Sequence, residues 1–243
     1  MAGHSKFSNI KHRKERSDAI KGKIFTKIGR EIAVAVKGGG ADPASNFALK
    51  NVILKAKGVN MPSDTIERSI KKASGDLGAI NFDSVTYEGY GPNGVAVMVE
   101  ALTDNKNRTA ANVRNAFTKG GGSIGAMGCV SYMFGRRGVI LVERRPGLSD
   151  DALMEIALEA GAEDFAALDE GVEIVTDEEN FGAVCDALAK EGVAPASAEV
   201  TMIPATTAAL NSPDDLKKMN KLLDLLDDDD DVTNVYHNWE NLT

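Results

Sequence analysis

Ile20, Ile24, Ile28 and Ile32 recur at every fourth position, and Phe25, Ala35 and Val36 widen the stripe. At about 100° per residue these positions share one side of a helix. Lys23, Lys27, Arg30 and Lys37 fall on the opposite side. Ser17 or Asp18 is placed to cap its start, and Gly38-Gly39-Gly40 to stop it. The pattern predicts an amphipathic helix with one side for burial and a positively charged side left to solvent. Asp42-Pro43 predicts the start of a second helix, with Phe47, Leu49, Val52, Ile53 and Ala56 apolar as far as Gly58. Met61-Pro62-Ser63-Asp64 opens a third, with Ile66, Ile70 and Ala73 on one side, ending at Gly75. Helices this short are marginal alone in water, so their apolar stripes must pack together.

The period then changes. Val85–Tyr90 and the apolar run Val95–Leu102 are separated by the turn sequence Gly91-Pro92-Asn93-Gly94, a predicted hairpin. A helix is predicted from Asn107 to Lys119, then a strand from Cys129 to Phe134. From Gly138 onward the order is strand 139–143, helix 150–161, strand 163–168, strand 171–176, helix 178–191 and strand 196–203. This β-α-β-β-α-β order is that of a split βαβ, or ferredoxin-like, module. A helix from Ser212-Pro213 to Leu226 and a strand from Val232 to Trp239 close the chain. They are left without partners of their own, whereas the middle unit lacks a helix and a strand. The expected architecture is therefore α+β: a helical domain over 1–78, a middle domain over 79–135 plus 206–243, and a third domain over 136–205 inserted into it.

Charge changes the picture. The chain has 243 residues and a net charge of −8. Residues 1–72 hold 16 Lys+Arg against 6 Asp+Glu, a balance of +10, while residues 146–243 hold 4 against 24, a balance of −20. Such asymmetry points to a polyanionic partner for one end and repulsion from it at the other. Residues 1–16 carry Lys6, Lys11, Arg13, Lys14 and Arg16 against Glu15 alone and have no apolar stripe. They are expected to stay disordered until a polyanion neutralises them. No apolar run approaches the ~20 residues of a membrane span, and the start has no apolar core of a secretory signal. Cys129 and Cys185 alone suggest neither a disulfide framework nor a zinc spacing. A cytoplasmic protein with no membrane partner is the expectation.

Candidate chemistry is sparse. The sequence has no G-x-G-x-x-G, no Walker loop and no H-E-x-x-H. Gly120-Gly121-Gly122-Ser123 follows a helix, which suits a C-cap better than a phosphate cradle. His4, His12 and His237 are scattered. Asp227–Asp231 reads as a weak Mg²⁺ site or, the favoured reading, a solvated loop that ends a helix. Asn105, Lys106, Asn107, Arg108 and Arg114 form a second basic patch at a predicted helix start, suited either to phosphate contact or to an ordinary cap. Arg136-Arg137 and Arg144-Arg145 bracket a predicted strand, as gatekeepers or as a further basic edge. No enzyme, cofactor or metal is expected.

The opening MAGHSKFSNIKHRKERSDAIKGKIFTKIGREI resembles the YebC/PmpR family, which includes mitochondrial translational activators of cytochrome oxidase. Phe7 stands where that family usually has tryptophan; Ile24-Phe25-Thr26-Lys27 and Arg30-Glu31-Ile32 match. So do Tyr87-Glu88-Gly89-Tyr90-Gly91-Pro92, Thr103-Asp104-Asn105, Asn107-Arg108-Thr109 and the ending Asp230-Asp231-Val232, Asn234-Val235-Tyr236-His237-Asn238. The resemblance implies three domains and a nucleic-acid-binding regulator of gene expression. One class is a DNA-binding transcriptional regulator. The alternative is a ribosome-associated translation factor that binds ribosomal RNA and relieves stalls at proline-rich stretches. A third class, an interaction scaffold, would use the acidic module to hold a basic protein. The residues expected to meet phosphates are Lys6, Lys11, Arg13, Lys14, Arg16, Lys21, Lys23, Lys27 and Arg30, with Lys106, Arg108 and Arg114. Phe7 and His12 are candidates for stacking or hydrogen bonding.

Overall fold

The computed structural model describes residues 18–75, 81–145, 147 and 149–240. Three helices come first: α1 (Asp18–Gly39), α2 (Phe47–Gly58) and α3 (Ser63–Ser74). Then follow β1 (Asp83–Tyr90), β2 (Ala96–Thr103), α4 (Lys106–Lys119), the short β3 (Ser123–Ile124) and β4 (Phe134–Glu143). The chain continues through α5 (Asp150–Glu159), β5 (Ala162–Ala167), β6 (Gly171–Thr176), α6 (Phe181–Lys190) and β7 (Ser197–Pro204). It ends with β8 (Ala208–Ala209), α7 (Pro213–Asp227), β9 (Val232–His237) and β10 (Trp239–Glu240). This is a mixed α+β chain, helical first and sheet-containing after. None of the described helices is long and apolar enough to cross a membrane.

In α1, Ile28, Ile32, Ala35 and Val36 are buried. The i, i+4 spacing therefore does place one apolar stripe inside. The second helix starts later than Asp42-Pro43 suggests. Asp42 instead folds a turn, its Oδ1 accepting from Ala44 N–H at 2.9 Å. The cap is Asn46, whose Oδ1 accepts from Leu49 N–H at 3.0 Å. Its Nδ2 donates to Ala35 O at 2.8 Å and Gly40 O at 2.7 Å. One buried amide thus satisfies the start of α2 and orphan carbonyls at the end of α1.

The chain divides into two compact units. The larger gathers, among its described residues, 18–52, 64–75, 81–135 and 203–240. Its sheet runs β3-β1-β2-β9, with β2 antiparallel to both β1 and β9. The strand that ends the chain is thereby hydrogen-bonded to one laid down 130 residues earlier, with Val99 opposite Val235. On one face, Val113, Ala116 and Phe117 of α4 and Met219, Leu222 and Leu226 of α7 close over Val97, Val99 and Val232. The predicted last strand to Trp239 stops at His237, because Asn238 turns its side chain into the ladder and Oδ1 accepts from Ala96 N–H at 2.8 Å.

The strand predicted from Cys129 to Phe134 begins only at Phe134. Residues Gly128–Ser131 wrap a buried carboxylate instead: Glu88 accepts from the N–H groups of Gly128, Val130 and Ser131, each at 2.8 Å. Backbone donors given to a side chain are lost to a strand ladder, which is why β4 starts late. Gly128 has φ +86°, where glycine is favoured, and this lets the loop turn under Glu88.

The smaller unit gathers Ile53–Ser63 and Arg136–Met202 among its described residues. Its sheet runs β5-β6-β4-β7, the order of a ferredoxin-like module, with β6 antiparallel to β4 and β5. Leu153 and Ala157 of α5, and Phe181, Val184 and Leu188 of α6, pack on Ile140, Val142, Val172 and Ile174. Helix α6 starts at Phe181 and not at 178, because Asp177 Oδ1 takes Asn180 N–H at 2.6 Å and closes a turn first.

Gly89 is where α4 comes closest to the sheet. A Cβ there would meet Ser123 O at less than contact distance and Phe117 Cε1 at 2.8 Å. Gly89→Ala is expected to cost roughly 1–3 kcal/mol of unfolding free energy by chemical denaturation. A loss under about 0.5 kcal/mol would contradict this packing.

Candidate nucleic-acid interface

The charged centre of the larger unit is Asp231, whose side chain is 4% exposed. Its Oδ1 accepts from Arg30 Nη1 at 2.7 Å and Arg108 Nη2 at 2.9 Å. Its Oδ2 accepts from Arg108 Nη2 at 2.6 Å, Arg108 Nε at 3.1 Å, Thr109 Oγ1 at 2.8 Å and Thr103 Oγ1 at 3.2 Å. Arg30 also donates to the Asp230 carbonyl at 2.6 Å and stands 5.3 Å from the Phe82 ring centre. One carboxylate thus joins α1, α4 and the strand end of β2 to the approach to β9. Burial pushes the Asp231 carboxyl up, but hydrogen bonds from Arg108, Thr109 and Arg30 outweigh it and hold the group below the usual carboxylate range.

The aspartate run is therefore only in part the solvated loop that its composition suggests: Asp227, Asp228 and Asp230 are exposed. Asp231 is buried, and Asp229 closes the turn, its Oδ1 accepting from Asp231 N–H at 2.8 Å and its Oδ2 from Asn112 Nδ2 at 2.9 Å. The physical reason is charge compensation: a carboxylate enters a low-dielectric site when two guanidinium groups and two hydroxyls meet it there.

The run also covers the basic side of α1. Lys23, Lys27 and Arg30 lie at i, i+4 and i+7, one stripe of the helix. Lys23 Nζ pairs with Asp228 Oδ1 at 2.9 Å, and Lys27 Nζ donates to the Asp227 carbonyl at 2.7 Å. That carbonyl belongs to the last residue of α7, where a cation offsets the negative end of the helix dipole. Burial pushes the Lys27 ammonium down, opposed by Asp227, Asp229 and Asp230. The side of α1 expected to face solvent as free positive charge is engaged by the chain's own carboxylates and carbonyls.

The other expected phosphate contacts divide. Lys6, Phe7, Lys11, His12, Arg13, Lys14 and Arg16 lie outside the described residues. Lys21 is exposed on α1. Asn105 caps α4, its Oδ1 accepting from Arg108 N–H at 3.1 Å. Lys106 pairs with Asp83 at 3.3 Å, both side chains well exposed, a contact of the weak surface kind. Arg114 is exposed and forms no salt bridge among the described residues. Neither do Lys50 of α2 or Lys71 and Lys72 of α3, all exposed. Arg136, Arg137 and Arg144 pair with Glu178, Glu163 and Asp150 at 3.0–3.1 Å. They are tied edges of the smaller unit's sheet, not an open basic strip.

Sequence reasoning missed Glu88 and what it supports. Burial pushes its carboxyl up, and the three backbone donors more than reverse that. Tyr90 adds a hydrogen bond from its hydroxyl to Cys129 O at 2.8 Å. The loop so held displays Met127, 89% exposed, and Tyr132, 77% exposed. An apolar and an aromatic side chain standing in water on an anchored loop are a ready contact surface. Only the Glu88-Gly89 pair within an otherwise alternating strand could have hinted at it. Among the described residues no group of three or more His, Cys, Asp or Glu side chains could hold a metal.

Residues 5–76 match the profile of the TACO1/YebC N-terminal domain, and residues 82–239 that of the TACO1/YebC second and third domain. The chain belongs to the TACO1/YebC family. A relative from Lachnoclostridium phytofermentans is 60% identical over 241 residues, covering 99% of this chain and all of the relative. One from Agathobacter rectalis is 61% identical with the same coverage. Both are named "probable transcriptional regulatory protein". The crystal structure of a conserved hypothetical protein from Aquifex aeolicus superposes with a TM-score of 0.80 at 46% identity, covering 92% of this chain and 91% of that one. In this TACO1/YebC chain, residues of the N-terminal match (Arg30) and of the second match (Arg108, Asp231) meet in one ion-pair network.

Asp231→Asn leaves two guanidinium groups facing a neutral amide and is expected to cost roughly 2–4 kcal/mol. The measurement is urea unfolding at neutral pH. The pH sign is fixed by the direction of the shift. The folded carboxyl is held below its unfolded value of about 3.9, so its contribution is present above pH ~4 and lost as pH falls through the folded value. His237 titrates earlier. It is half-buried, its Nδ1 buried without a hydrogen-bond partner, and burial pushes its pKa down against a backbone hydrogen bond with Trp239. Its stabilising effect, present above the unfolded value of about 6.5, is lost as pH falls below it. Thermal unfolding between pH 7 and 5 should show the loss in the native protein, and a smaller one in His237→Gln.

Proposed function

We propose that this TACO1/YebC chain is a nucleic-acid-binding regulator of gene expression in the cytoplasm, acting on DNA as a transcriptional regulator and not as an enzyme. The observation that carries the reading is the charge gradient, +10 over residues 1–72 and −20 over residues 146–243. A cationic end attracts a phosphate polymer, and an anionic end is repelled by it. The relatives' shared regulatory name is consistent with this. Lys23, Lys27, Arg30 and Arg108 are bonded within the chain, which leaves Lys6, Lys11, Arg13, Lys14 and Arg16 with the exposed Lys21, Lys106 and Arg114 as the first candidates for phosphate contact.

A second reading, a ribosome-associated factor that binds RNA, is favoured by one observation. Residues 120–135 contain no charged side chain, and this stretch holds the exposed Tyr132 and Met127. A fixed exposed aromatic suits stacking on unpaired bases, which folded RNA offers and a closed DNA duplex does not.

Binding to duplex DNA and to a folded RNA of equal length, measured at several salt concentrations, separates the readings. With about seven phosphates neutralised on duplex, log K should fall against log salt with a slope near −6. Replacing Lys11, Arg13, Lys14 and Arg16 by Gln should reduce that slope by about 3 to 4. A slope near zero for the native protein would refute electrostatic binding. Tyr132→Ala should weaken RNA binding alone if the second reading holds. Substitution is preferable to removing residues 1–30, since that truncation would also delete the buried Ile28 and the Arg30 partner of Asp231.

A further inference from the structure

The fold uses only part of the aspartate run. Asp231 is buried in its ion pairs and Asp229 closes the turn. Asp228 and Asp230 are exposed, and the side chain of Asp228 is bonded to Lys23. Negative side chains just beyond the C-terminal end of α7 oppose its dipole, so they do not serve that helix. What they do face is the cationic stripe of α1. The contacts along the stripe are graded. Arg30 is fixed on a buried carboxylate, with side-chain exposures of 19% and 4%. Lys27 is bonded to a carbonyl at the end of α7. Lys23 and Asp228 meet with side-chain exposures of 46% and 75%. An exposed single pair of that kind contributes little and is screened by salt. A phosphate group can therefore take Lys23 without disturbing Lys27 or Arg30.

We propose that Asp228, with the charge of the exposed Asp230 two positions on, forms an internal competitor for the phosphate backbone, holding Lys23 of α1 until nucleic acid displaces it. The proposal rests on the reading of the N-terminal end as the nucleic-acid-binding end, and names a regulation of that same surface. It also follows the line of the chain: Lys21 and Lys23 continue the basic arm into α1, so a strand of phosphates engaged by the arm runs next onto the masked Lys23. The carboxylates then set the threshold. Weak or short polyanions leave the pair closed, and a long backbone opens it.

The test is fluorescence anisotropy of a labelled 20-base-pair duplex with the full-length chain, at several salt concentrations. The variants are Asp228→Asn with Asp230→Asn, and a control pair, Glu155→Gln with Glu159→Gln, exposed in α5 and carrying the same change of charge. The asparagine pair should bind about tenfold tighter at low salt, with a salt slope steeper by about one as Lys23 becomes available. The control pair should match the native protein. Native affinity and slope in the asparagine pair would overturn the proposal. So would an equal gain in the control pair, which would mean that only total charge matters. If the native protein and both variants all fail to bind DNA and RNA, the proposed function itself falls; tight binding by the native protein with no effect of the asparagine pair removes the competitor alone.

Discussion

A buried carboxylate between two guanidinium groups is the constraint from which the larger unit is built. Asp231 lies 201 residues after Arg30 and 123 after Arg108 in the chain, and the buried carboxylate draws its charged partners from both. Left unpaired, a charge in such a site costs several kcal/mol. The network is thus less a source of net stability than a condition on the fold: α1, α4 and the segment entering β9 are held in one arrangement because the alternatives strand a buried charge.

The arrangement has a consequence for function. The first described helix, in the end of the chain that carries the positive charge, is pinned by Ile28 and Ile32 on one side and by Arg30 on another. The same contact converts the most acidic run of the sequence from a passive solubilising tract into a cover for the most basic helix.

Much of the fold was legible because it rests on local period. The spacing of Ile24, Ile28 and Ile32 revealed α1, the nearly continuous apolar run Val95–Leu102, broken by Glu100, gave a central strand, and the alternation of strand and helix lengths after Gly138 gave the ferredoxin-like order. What escaped was every feature in which a polar side chain is used at long range. Periodicity tells which side of α1 is apolar; it is silent on what covers the other side, and a buried Asp231 looks in sequence like any solvated aspartate. Glu88 is the same case in reverse, since a carboxylate that gathers three backbone N–H groups turned the expected Cys129–Phe134 strand into a loop. Asn46 outcompeted Asp42 as a cap because it could also reach back to Ala35 and Gly40. The candidate interface was legible as charge and not as availability.

The account's central claim is that Arg30, Arg108 and Asp231 act as one coupled unit. A double-mutant cycle on unfolding free energy, with Arg30→Met and Asp231→Asn alone and together, measures it directly. The account predicts a coupling of about 1.5 kcal/mol or more, because either single change strips one member of the Arg30–Asp231 pair of its partner, a loss that the pair of changes removes. Additive effects, with coupling below about 0.3 kcal/mol, would contradict it.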